Sequence, residues 1–127
     1  MSELLLTVAG IYHLLFLIFH LMFWRLFNWK DDLKTLSFIN KSIFQVLNIC
    51  LSLVFGLFAY ISIVHADELL TTTLGHTLLR FITFFWIARG IQQILFFKLR
   101  HWSSWVFTII FILGAVLYGI PYFKVAL

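Results

Sequence analysis

Four apolar runs, at about 4–24, 42–64, 73–97 and 103–123, leave this chain little choice of solvent. Each approaches the roughly 20 residues that an α-helix needs to cross the hydrocarbon core of a bilayer. The runs are continuous rather than alternating, and too long for barrel strands, so helices are expected. A chain that is 63% hydrophobic and 11% charged cannot supply the polar surface of a water-soluble fold of 127 residues. The expectation is all-α: a polytopic membrane protein with one integral domain over 1–127, folded as an antiparallel bundle of four transmembrane helices. The start, MSELLLTVAGIYHLLFLIFHLMFW, has no basic n-region and carries His13, His20 and Trp24 where a cleavage site would need small residues. It reads as a retained first helix rather than a signal peptide.

The connections set the expected orientation. The first, RLFNWKDDLKTLSFINK, is the longest, and Leu26, Trp29, Leu33 and Leu36 recur there at helical spacing. Part of it is expected to form a short amphipathic helix at the interface. It holds Arg25, Lys30, Lys34 and Lys41, and the third connection holds Lys98 and Arg100, whereas the second carries Asp67 and Glu68. Basic loops stay cytoplasmic, so both termini are expected on the non-cytoplasmic side, with Lys124 the exception. Trp24, Trp29, Trp102 and Trp105 then mark the cytoplasmic interface. The same distribution accounts for the net charge of +4 without nucleic acid. Asp67 is the expected cap of the third spanning helix.

Residues three, four or seven apart share a helix face. Gly10, His13, Leu17, His20 and Trp24 form one stripe, and Gln45, Asn48, Ser52, Gly56, Ala59 and Ser62 a second. A third comprises Ser104, Trp105, Thr108, Ile112, Ala115, Gly119 and Tyr122. Small and weakly polar faces suit close helix packing in lipid, so these three are expected to meet.

The run 73–97 is different, because it carries Arg80 and Arg89 inside the span, with Gln92 and Gln93 beside the second. No run contains an acidic residue. A charge at membrane depth costs roughly 2.5–3.5 kcal/mol on insertion scales, and such residues usually face protein or water. Arg80 and Arg89 are nine residues apart, which at about 100° per residue places them on opposite sides. Arg89 lies roughly 13 Å from the cytoplasmic end of its run at 1.5 Å per residue. Gln93, Asn48, Gln45 and His20 fall in the same half, so an inner site of these five is expected, with Gln92 and His13 as further contributors. His76 and Arg80 form a second, outer cluster within reach of Asp67 or Glu68.

Chemistry narrows the ligand class. Arg89 keeps its proton and has no acidic partner in a span. It is expected either to snorkel and bond to amides and carbonyls, or to hold an anion: a lipid phosphate, a small carboxylate or a quinone-like acceptor. His13 and His20 are two turns apart, roughly 10 Å, too far to chelate one ion, and the single Cys50 offers no cysteine cluster, so no metal site is expected. Haem held by two histidines needs both at similar depth; only His20 with His101 approaches that, which makes haem the lesser expectation, one shared across a homodimer through His13 included. The small multidrug exporters, four helices at similar length, depend on a membrane glutamate that this chain lacks. No nucleophile sits with a base or carboxylate, so enzymatic activity is not expected. The leading expectation is a binding or transport module for an anionic small molecule or lipid, acting as a homo-oligomer; the alternative is a non-catalytic accessory subunit of a larger membrane complex.

Overall fold

A computed structural model describes all residues, 1–127. The protein is all-α, and its long helices fall on the four apolar runs. In chain order these are α1 (Ser2–Leu21), α2 (Phe23–Leu26), α3 (Trp29–Asp32), α4 (Phe38–Val64), α5 (Ala66–Thr71), α6 (Thr73–Gln92) and α7 (Trp102–Ala126). A 3-10 turn at Leu33–Thr35 follows α3, and α6 runs on into a π-helical turn at Gln93–Phe97. Helices α1, α4, α6 with its π-turn, and α7 are each long and apolar enough to cross a membrane. Between 22% and 39% of each span is buried within the chain, so most of each span must be solvated by something apolar. Leu53, Leu74 and Ile109 are 69%, 68% and 63% exposed, for example. This is a multi-pass integral membrane protein.

Helix ends follow local chemistry. The first connection is helical in pieces, α2 and α3, broken at Asn28, whose φ of 50° and ψ of 43° are left-handed. Asparagine tolerates that conformation better than most residues. Leu33 is the buried side chain of this segment, while Leu26 is exposed. At α6 the cap is Thr72 rather than the expected Asp67, which lies in the first turn of α5. Thr72 is extended, its hydroxyl accepts from Gly75 N at 2.9 Å, and it donates to Glu68 O at 2.7 Å. One hydroxyl thus ends α5 and starts α6. Gly75 is required there: a Cβ would lie 2.2 Å from Glu68 O and 2.5 Å from Leu69 Cα, and neither backbone atom can move aside.

The chain forms two compact units whose boundaries fall inside α1 and α4: Gly10–Tyr60 is one, and Met1–Ala9 with Ile61–Leu127 the other. In the first, Ser52, Phe55 and Ala59 of α4 are buried, as are Tyr12, His13 and Phe16 of α1. Phe16 and Phe55 pack with ring centroids 5.4 Å apart. In the second, α6 and α7 pair along Gly75, Leu79, Ile82, Trp86, Gly90 and Gln93 on one side and Ser104, Thr108, Phe111, Gly114 and Tyr118 on the other. Trp86 stacks on Phe111 at 5.7 Å, and Tyr118 and Ser62 share a buried hydrogen bond of 2.5 Å. The expected α7 stripe is therefore only partly right. Ser104, Thr108 and Gly119 are buried, but Trp105 and Ile112 are 52% and 55% exposed.

Candidate functional site

In the α6–α7 unit, polar side chains form a chain of hydrogen bonds beginning at Arg89. Arg89 Nη2 donates to Gln93 Oε1 at 3.2 Å, Gln93 Nε2 donates to Ser104 Oγ at 3.2 Å, and Ser104 Oγ donates to the Lys98 carbonyl. The last link fixes the others. Because the Ser104 proton goes to a carbonyl, its oxygen must accept from the amide, and the Gln93 carbonyl oxygen is left facing Arg89. Gln93 and Ser104 are buried, at 4% and 6% exposure, whereas Arg89 is half-buried.

Backbone shape supports this chain. The π-turn widens the end of α6, and Lys98 follows with φ 58° and ψ 165°, a region that a residue with a Cβ rarely occupies. The carbonyl presented this way is the one that Ser104 holds. Trp105 Nε1 donates to Leu99 O at 3.0 Å, tying down the connection that follows.

The guanidinium extends toward the end of α6. Long side chains on a helix usually lean toward its N-terminus. Arg89 does the reverse: it bonds a residue one turn further on, and its Cζ lies 5.7 Å from the centre of the Phe97 ring. Its charge therefore sits closer to the end of the span than its Cα. Cζ is also 4.3 Å from the centre of the Phe111 ring, within cation–π range. Of five N–H donors, one has a protein acceptor, and that acceptor is neutral. The ion pairs of the chain are elsewhere, Lys34–Asp31 at 3.1 Å and His65–Glu68 at 3.2 Å.

In the Gly10–Tyr60 unit, His20 and Asn48 are joined twice. Asn48 Nδ2 donates to the His20 carbonyl at 2.9 Å, and His20 Nδ1 lies 2.9 Å from Asn48 Oδ1. An amide oxygen only accepts, so the proton is on Nδ1 and the lone pair of the neutral ring is on Nε2. Phe23 stacks on the His20 ring at 4.2 Å. His13 is fully buried among aromatic rings, with Phe58 at 5.2 Å and Phe55 at 5.8 Å. Gln45 is half-buried, and in the other unit Gln92 is exposed. Of the expected inner residues, the structure thus brings together Arg89 with Gln93, and His20 with Asn48; the two pairs belong to different compact units.

The outer residues are held locally. His76 Nε2 bonds the Leu70 carbonyl at 2.9 Å, which ties α6 back to α5. Arg80 is exposed, with its Cζ 5.6 Å from the Phe81 ring centre. Glu68 is engaged by His65 rather than by either. The Glu68 carboxyl is held below the usual range by its own backbone N–H and then by His65.

Ser104, Phe111 and the Lys98 carbonyl are the site residues that sequence reasoning did not connect to Arg89. Ser104 was visible only as part of a packing face, and nothing in the residue order announces a π-turn. Compared with known protein families, curated proteins and solved structures, the chain matches none.

Proposed function

We propose that this protein is a membrane-embedded binding module for an anion, with Arg89 as the residue that receives it. One observation carries the reading: a permanently charged guanidinium, fixed through Gln93 and Ser104, has a single neutral acceptor and no carboxylate in ion-pair contact. Arginine offers paired donors that match the two oxygens of a carboxylate or phosphate. Transport of the anion by a homo-oligomer extends the same reading, since four helices alone make a narrow path. Basic connections would place the 22–37 and 98–101 segments in the cytoplasm and both termini outside.

A specific observation favours a second reading as well. Arg80 is exposed at membrane depth, which suits a surface that packs on a membrane partner, as an accessory subunit would.

Thermal melts of the detergent-solubilised protein test the first reading. Inorganic phosphate or acetate at concentrations well above its dissociation constant should raise the melting temperature of the wild type. Arg89→Leu should keep its helicity and lose that response. A variant that melts like the wild type with and without these anions would sink the anion reading. Release of a co-purified partner by Arg80→Leu, with Arg89→Leu silent, would favour the second.

A further inference from the structure

We infer that the anion bound at Arg89 is the phosphodiester of an anionic phospholipid, captured where α6 meets the headgroup layer and shared with Lys98 and Arg100. This rests on the anion reading above and narrows it to one class of ligand.

Three observations lead there. The first is depth. Through Gln93 and Phe97, the Arg89 guanidinium leans one turn toward the end of α6, in the direction of the connection that leaves the hydrocarbon, while its Cζ stays 4.3 Å from the centre of the Phe111 ring. Lipid phosphates occupy the layer just outside a hydrocarbon core of about 30 Å. A cation reaching from inside the span to its boundary meets that layer first.

The second is charge. From Arg89 to Trp105 the chain carries Arg89, Lys98 and Arg100 and not one Asp or Glu. Lys98 and Arg100 are exposed and belong to neither ion pair of the chain. Asp67 and Glu68 lie in the connection at the opposite end of α6. Three cations toward one end of α6, none in ion-pair contact with a carboxylate of the chain, call for anions from the surroundings.

The third is that the end of α6 is built rather than frayed. The π-turn, the left-handed Lys98, the Ser104 bond to its carbonyl and the Trp105 bond to Leu99 fix a short connection. Backbone held in a sparsely populated conformation by its surroundings recurs at binding sites. Here it places Lys98 directly after the turn that carries Gln93, so a bound phosphate can meet the arginine fork and a lysine together.

Native mass spectrometry of the purified full chain in neutral detergent tests this, with phosphatidylglycerol, phosphatidylcholine of the same chains, and inorganic phosphate as probes. The expected result is retention of phosphatidylglycerol over phosphatidylcholine. Arg89→Met and, independently, the exposed pair Lys98→Gln with Arg100→Gln should each weaken retention about tenfold, as expected when hydrogen bonds to a charged group are lost. The double variant lies outside the packed seam, so it keeps the test sound if Arg89→Met misfolds. Equal retention of both lipids, or retention indifferent to all three residues, overturns the inference. If inorganic phosphate binds through Arg89 while neither lipid does, the anion reading survives and the lipid inference falls. If no probe depends on Arg89, both fall.

Discussion

Arg89 takes its direction from Gln93, and Gln93 from Ser104. Ser104→Ala would leave the buried Gln93 amide and the Lys98 carbonyl each short of a partner. That should destabilise the protein by about 1–3 kcal/mol, seen as a lower melting temperature in detergent. An unchanged melt would mean that the relay is not held by Ser104. Lys98→Gly should act in the opposite direction. Its φ of 58° and ψ of 165° suit glycine, and relieving such strain is worth about 1–3 kcal/mol. A melting temperature that falls would contradict the strained backbone. At this scale the sequence was informative about what lies on one helix and uninformative across the turn. Arg89 and Gln93 are four residues apart and were legible as neighbours, and His20 and Asn48 as residues of the same half of the span. The direction of the Arg89 side chain was not, because a helical position fixes Cβ and leaves a long side chain free to lean either way.

The elements differ in how closely their backbones approach, and glycine substitutions read this out. Gly75→Ala drives a methyl group into the backbone of α5, so a loss of about 2 kcal/mol or more is expected, measurable as a lowered melting temperature or lowered membrane yield. Gly56→Ala and Gly90→Ala meet only Leu17 and Phe111 side chains, at 3.8 and 3.9 Å. Both should be tolerated and gain up to about 1 kcal/mol of helix propensity. Equal sensitivity at all three positions would refute the α5–α6 packing described. Face assignment held in part on α4, where Ser52, Ala59 and Ser62 are buried while Gln45, Asn48 and Gly56 of the same stripe are half-buried. It slipped on α7 because rings also fill the seam: Phe111 stacks on Trp86, and Tyr118 reaches Ser62. When lipid is as apolar as the protein, an aromatic residue carries no label for inside or outside.

For the whole molecule, the four spans were legible because continuous apolar runs of this length have one economical solution in lipid. Their ends moved by up to four residues, with α4 beginning at Phe38 instead of 42. The charged connections predict an orientation that reporter fusions can check. A fusion within the 28–36 segment should report cytoplasm, and fusions at either end of the chain the opposite side; the reverse pattern would remove the positive-inside argument and move the Arg89 end of α6 to the outer leaflet. The candidate site was less legible than the spans. Its charge could be read from composition alone, but its shape depends on a π-turn and a left-handed lysine that no pattern of residues declares. The central claim, an anion held by Arg89, meets its most direct test in native mass spectrometry of the wild type and Arg89→Leu as purified from membranes. The account predicts a bound anionic species on the wild type and none on a variant of equal helicity. The same species on both proteins would contradict it.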